Sequence, residues 1–369
     1  MIKWCNNCVL PNTRPNIEIS KEGICNACKT HKLKKRNLNW KKQKKKLLDI
    51  FSKIKKKNKT NYDCVIPVSG GKDSIWQVIE CLNYNLTPLA VTWKTPGRNS
   101  IGRKNLDKLI SLGVDHIDFS LNPKVEAYFM LKTLKKKGST AISMHMAIFN
   151  IPLLIAQKFK IPLIIWGENS AAEYGLKKSQ KFQSTMNKEW IKNYGVTNNT
   201  DVSFWKDKFL VEKKLIAFRP KSLSNVKSIF LGDYLKWDPK KSLKFAKKIG
   251  FITPKKPKTG YYNFADIDCD FISIHHYIKW LKFGFTRLFD NLSLEIRNNR
   301  LTRKKAINII IKERKKIRPE NDIKKFCKFT NLSFKEFDNI INKFRNKKIW
   351  KKHKNKWIIK NFITDRYKW

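Results

Sequence analysis

Six consecutive residues, Ser69, Gly70, Gly71, Lys72, Asp73 and Ser74, are the densest chemistry-bearing stretch of this 369-residue chain. The glycine pair lets backbone approach a ligand closely, and two hydroxyls and an ammonium add donors. A helix beginning here would leave its first N–H groups without partners, so the stretch reads as an anion site. Asp73 can offer oxygen to hydrated magnesium or cap the helix start. The spacing is neither Gly-x-x-x-x-Gly-Lys-Ser/Thr nor Gly-x-Gly-x-x-Gly. A second constellation pairs Cys5-x-x-Cys8 with Cys25-x-x-Cys28, sixteen residues apart. Each pair can grip one side of a tetrahedral zinc, and four thiolates leave no open position, so the expected metal is structural. Two disulfides are the alternative, but nothing points to secretion.

The elements that must position these residues alternate. Cys64 to Val68 is a short apolar run suited to a strand buried on both faces, and Ile75, Trp76, Val78, Ile79 and Leu82 recur at helical spacing. Further strands are expected at Leu89–Trp93, His116–Phe119 and Leu163–Trp166, with helices at 105–112, 126–134 and 144–159. The alternation predicts an α/β fold with a doubly wound parallel sheet, whose ligands bind at the strand carboxyl ends. Three loops at such ends, Ser69–Ser74, Thr92–Arg103 and Gly167–Gly175, should converge.

Around this unit the organisation reads as a zinc ribbon (1–32), a basic helical linker (33–60), the nucleotide-binding domain (61–175), a substrate-binding elaboration (176–311) and a basic helical tail (312–369). Asp233, Trp237 and Asp238 cluster before Pro239, where carboxylates beside an aromatic ring suit a sugar or a metal, or else cap a helix. His275 and His276 are candidates for acid–base work, whereas His145 on an apolar helix reads as a core histidine.

Lysine and arginine number 80 against 29 acidic residues, a net charge of +51. Such a field attracts nucleic acid, anionic lipid or phosphorylated metabolites. The co-abundance of Lys, Ile and Asn is also what an AT-rich genome produces. No apolar run reaches the roughly 18 to 20 residues of a membrane helix and no signal core is seen, so a cytoplasmic protein without a membrane span is expected. No internal repeat is present.

The Val68–Ser74 stretch resembles the Ser-Gly-Gly-x-Asp-Ser signature of the PP-loop ATP pyrophosphatases. Further motifs extend the likeness: Cys5-x-x-Cys8-Val9-Leu10-Pro11 with Thr13-Arg14-Pro15, Pro96-Gly97-Arg98, Trp166-Gly167-Glu168-Asn169 with Glu173-Tyr174-Gly175, Gly232-Asp233-Tyr234, His275-His276-Tyr277, and Arg297-Asn298 with Leu301-Thr302-Arg303. Together they resemble the N-acetyl sugar amidotransferases of bacterial surface-polysaccharide (lipopolysaccharide O-antigen) and flagellar-glycan synthesis, to about Ile311. Leu10 and Leu176 depart from the pattern.

The resemblance implies an ATP-dependent, AMP- and pyrophosphate-forming enzyme. It would adenylylate an acetamido oxygen of a nucleotide sugar or nonulosonate, then let ammonia displace AMP to leave an acetamidino group. It implies Mg2+ beside ATP and structural Zn2+ on Cys5, Cys8, Cys25 and Cys28. Catalysis would fall to Lys72 and Asp73, and ATP binding to Ser69, Gly70, Gly71, Lys72, Asp73, Ser74, Thr92, Trp93 and Gly167. Substrate binding would fall to Arg98, Glu168, Asn169, Tyr174, Asp233, His275 and His276. Cys64, Cys81, Cys269 and Cys327 lack glycine neighbours and Cys5 belongs to the ribbon, so no glutaminase nucleophile is seen. A separate glutaminase subunit, with a cyclase-like ammonia-channel subunit, is therefore expected. The alternative is a PP-loop tRNA sulfur-transferase. The isolated cysteines after Cys28 weigh against it, and no nucleic-acid partner is expected.

Overall fold

The computed structural model describes residues 2–170, 175, 185–219, 226–313, 318–354 and 356–364. In chain order its elements are α1 (Asn26–Asn37), α2 (Trp40–Lys57), β1 (Cys64–Pro67), α3 (Lys72–Asn83), β2 (Pro88–Trp93), α4 (Ser100–Ile110), β3 (Asp115–Phe119), α5 (Pro123–Lys137), α6 (Ala141–Lys158) and β4 (Leu163–Trp166). They continue with α7 (Lys188–Tyr194), β5 (Lys227–Phe230), α8 (Pro239–Lys248), α9 (Phe271–Phe283), α10 (Arg287–Arg297), α11 (Arg303–Glu313), α12 (Glu320–Thr330), α13 (Phe334–Lys343), β6 (Trp350–His353) and β7 (Lys356–Ile359).

Strands β1 to β5 form one parallel sheet in the order β3-β2-β1-β4-β5. Chain order reverses between β1 and β4, which opens a crevice at their carboxyl ends. The apolar runs that announce the inner strands are explained by side chains alternating between two cores. Cys64, Ile66, Ala90, Leu163, Ile165 and Ile229 face the layer that holds Phe51, Ile75, Val78 and Leu109. Val65, Leu89, Val91, Ile164 and Phe230 face the layer that holds Phe129, Ile142, Ala147 and Ile274. Helix α2 buries Leu47 and Phe51 and leaves its lysines outward.

Two elements depart from the sequence-based expectation. A fifth strand, β5, joins the sheet from a segment expected in the substrate-binding elaboration. Its Ser228 is buried because it accepts the Trp166 indole N–H at 2.8 Å, so its polarity hid a core position. The expected helical tail instead ends in the antiparallel β6–β7 hairpin, with Trp350 and Ile359 inward and lysines outward. No described helix is long and apolar enough to cross a membrane.

Candidate functional site

The turn between β1 and α3 occupies the crevice. Gly70 has φ +80°, and a Cβ there would lie 2.7 Å from the Leu106 N of α4, so only glycine fits both the left-handed backbone and the close approach. Inside the turn the Ser69 N–H donates to Ser74 Oγ at 3.2 Å and the Gly71 N–H to Ser69 Oγ at 3.3 Å. Helix α3 starts at Lys72 with no side-chain cap, leaving its first N–H groups to a ligand. Lys72 is buried, pairs with Asp73, and lies 5.8 Å from the Trp237 ring and 5.7 Å from the Phe264 ring. The Trp237 indole donates to Asp73 Oδ1 at 2.9 Å, fixing that carboxylate.

Glu168 follows β4 on the opposite lip. Burial, helped by the neighbouring Asp73 charge, pushes its carboxyl up to about 7. Burial also raises Asp268, although Ser69 donates to it. These residues open into one cavity of about 840 Å³, lined by Ser69, Gly71, Lys72, Asp73, Ser74, Trp93, Gly167, Glu168, His275 and His276 among the expected residues.

The far end of the cavity belongs to α9, α10 and the loop between the cysteine pairs. Arg14 Nε donates to Asp290 Oδ1 at 2.6 Å, and Lys279 Nζ lies 3.4 Å from Asp290 Oδ2. Burial would raise Asp290, but Arg14, Lys279 and Arg287 outweigh it and hold the carboxyl well below its usual range. Asp266 likewise stays low against burial, because Arg287 and His276 face it. His276 Nε2 is 3.2 Å from Asp266 Oδ2. Burial depresses His276 and drives His275 far below the ordinary histidine value. His145, expected as a core residue, also lines this cavity, its ring 6.4 Å from that of His275.

Other expected residues sit elsewhere. Gly70 backs the turn against α4. Thr92 Oγ1 lies 2.8 Å from His116 Nε2 on the sheet. Arg98 makes a bidentate pair with Asp118 at 2.7 Å and does not line the cavity. Asn169 donates to Asp233 Oδ2 at 2.8 Å and accepts from the Trp190 indole at 3.2 Å, so both form a brace behind the wall. Asp238 caps α8 and pairs with Arg300, consistent with the capping reading. Tyr174 lies outside the described residues. Sequence reasoning missed Arg14, Lys279, Lys282, Arg287 and Asp290 as cavity residues. The available signal was the spacing of His275, Lys279 and Lys282 on an otherwise apolar helix.

Cys5, Cys8, Cys25 and Cys28 are buried, and their sulfurs lie within 4.8 Å of one another. Sulfurs of a tetrahedral zinc site at about 2.3 Å from the metal stand about 3.8 Å apart, and Cys8 and Cys25 Sγ are at 3.7 Å. Backbone N–H groups of Cys8 and Cys25 point at Cys5 Sγ, as they would toward a thiolate. The donor set fits structural zinc.

Residues 258–364 match the family model described as "LPS biosynthesis protein WbpG-like, C-terminal domain". That stretch supplies the α9–α10 wall of the cavity. No curated protein sequence matches the chain. Among solved structures, NMN synthetase from Francisella tularensis is similar at 14% identity, covering 82% of this chain and 97% of that one, with a TM-score of 0.37. NH3-dependent NAD synthetase from Campylobacter jejuni is similar at 16% identity, covering 36% of this chain and 58% of that one, with a TM-score of 0.30.

Proposed function

We propose that the chain is an ATP-dependent amidotransferase of glycan biosynthesis, converting a sugar acetamido group into an acetamidino group. The observation that carries this reading is the continuity of one cavity. The Ser69–Ser74 turn opens one end, and the segment matching the LPS-biosynthesis domain runs from Phe264 and Asp268 beside that turn to Lys282 along the cavity wall. ATP phosphates would take the free N–H groups of α3, the hydroxyls and Lys72. Mg2+ would be held by Asp73 and Glu168 and would neutralise phosphate charge.

The amide oxygen would attack the α phosphorus and release pyrophosphate. Ammonia would then add to the activated carbon, lose a proton, and expel AMP. Ammonia would come from a separate glutaminase subunit, with a channel subunit between them. The alternative, sulfur transfer to tRNA, needs reactive thiols, and all eight cysteines here are buried.

The test supplies ATP, ammonium and a panel of diacetamido sugars, and reads products by mass spectrometry. An amidine is about one mass unit lighter than its amide, since NH replaces O. The expected result is that product with stoichiometric AMP. Asp73→Asn and Lys72→Ala should each lower pyrophosphate release at least a hundredfold while zinc stays bound. An unchanged sugar pool alongside thiolated tRNA would overturn the reading.

A further inference from the structure

Two lysines at the end of the cavity remote from the ATP turn have no role in the chemistry above. Lys279 and Lys282 stand four and seven residues beyond His275 on α9, so the three share one helix face, and all line the cavity. Lys282 Nζ donates to the Lys137 carbonyl at 2.8 Å and reaches the Gly138 carbonyl at 3.4 Å. Among the described residues no carboxylate lies within ion-pair reach of it; its contacts are the carbonyl end of α5 and the Phe283 and Phe344 rings, 5.6 and 5.9 Å away. Lys279 reaches Asp290 at only 3.4 Å, on a carboxylate that Arg14 already engages at 2.6 Å, and its ammonium sits 4.8 Å from the centre of the Phe285 ring. Buried ammonium groups are costly without a counter-charge. Both feel that cost, since burial, with Lys137 adding to it for Lys282, brings each down to about 8.

We propose that Lys279 and Lys282 form the subsite for an anionic substituent, carboxylate or phosphate, of the sugar modified at the other end of the cavity. This rests on the amidotransferase reading. Helix α9 acts as the spacer. Its N-terminal end follows Asp268, which accepts from Ser69 of the ATP turn, and Lys282 lies eleven residues past Phe271. At 1.5 Å per residue that is about 16 Å along the axis, room for a sugar ring between the reacting amide and the acid. The acetamido group would thus be selected by its distance from the charge, and a neutral acetamido sugar would lack the anchoring contact.

Proton linkage supplies one arm of the test. Around the two lysines stand Arg14, Arg287, Asp290, Lys137, His145, His275 and, behind them, the Asp266–His276 pair. The arginines stay cationic, Asp290 stays anionic, and His275, driven far below the ordinary histidine value by burial, stays neutral where the lysines titrate. Affinity for an acidic sugar should therefore fall as pH rises through about 8, where the lysines lose their protons.

The experiment titrates the full chain calorimetrically, its ATP site saturated with the α,β-methylene analogue, using N-acetylglucosamine, N-acetylneuraminate and UDP-N-acetylglucosamine. At least one acidic probe should bind tenfold or more tightly than the neutral one. Preference for N-acetylneuraminate identifies a carboxylate subsite, and preference for the UDP-sugar a phosphate subsite. Lys279→Gln combined with Lys282→Gln should reduce the preference below threefold with ATP-analogue affinity within twofold, and the double Lys→Arg variant should keep it. A wild-type chain indifferent to charge, or a preference that survives the glutamine pair, overturns the proposal. If acidic probes bind through the lysines and none yields an amidine, the subsite stands and the amidotransferase reading falls. If an acidic sugar is amidinated equally well by the wild-type chain and by the glutamine pair, the subsite falls alone.

Discussion

Glu168 stands where the end of β4 meets Asp73 across the crevice, and its proton affinity has a measurable consequence. Burial and the Asp73 charge raise its carboxyl from 4.5 to about 7. The folded state therefore binds a proton more tightly than the unfolded chain between these values. Stability arising from this group is present below pH about 4.5 and is lost as pH rises through about 7. A glutamine at this position cannot ionise and escapes that loss. At ~1.4 kcal/mol per unit the shift is worth at most about 3 kcal/mol, and partial hydration of the cavity reduces it to roughly 1–2. Glu168→Gln should raise the Tm of the nucleotide-free protein by a few degrees at pH 8, with little change at pH 4.5, while lowering pyrophosphate release. Calorimetric scans at the two pH values check this, and equal shifts at both would show that the carboxyl is not strained.

At the scale of elements, the cysteine-rich unit is a wall of the cavity. Its loop donates from Val9 N–H to Ser293 Oγ of α10, from Thr13 Oγ1 to the Phe283 carbonyl at the end of α9, and from Arg14 to Asp290. In return Arg303 Nε, on α11, binds the Cys5 and Cys8 carbonyls at 3.2 and 3.1 Å. Chelating the metal should release Arg14 first, because the loop has little core of its own. We expect a Tm loss of several degrees and at least tenfold weaker binding of acidic sugars, with ATP-analogue affinity within threefold, all measurable by titration before and after metal removal. Equal loss at both ends of the cavity would mean general unfolding.

This wall also marks where sequence reading stopped. The β1–α3 turn was legible because an unbroken apolar run precedes it and a 3.6-residue period follows. Cys5, Cys8, Cys25 and Cys28 were legible through spacing alone. Lys279 and Lys282 were harder to read, since their spacing from His275 on an apolar helix is a faint signal in a chain with 80 basic residues. Nothing local announced that Arg98 would pair with Asp118, or that Trp190 would brace Asn169 and Asp233. Such pairings join residues distant in sequence, which local pattern cannot reveal.

For the whole molecule, the positive charge and the thiols bear on what the chain can do alone. A net charge of +51 raises the local concentration of anionic substrates and of nucleic acid alike, so retention on tRNA that falls with salt would not by itself identify a substrate. The thiols discriminate better. Cys5, Cys8, Cys25 and Cys28 sit together in an arrangement that fits a metal, Cys64 and Cys81 lie within the sheet–helix core, and burial pushes Cys269 and Cys327 up to about 11. Cys269 lines the cavity but its raised thiol stays protonated near neutral pH, and the lowered thiols of Cys5 and Cys28 face the other cysteines of the cluster, so none is the accessible thiolate that glutamine hydrolysis by cysteine and sulfur relay both require. With ATP and a suitable acetamido sugar, ammonium should therefore support amidine formation, while glutamine at the same concentration should give less than a hundredth of that rate. Iodoacetamide at neutral pH should leave the ammonium-dependent rate within twofold, and adding a glutaminase should restore use of glutamine. Glutamate released by the purified chain alone would require a nucleophile that this fold does not expose, and would displace the two-component reading.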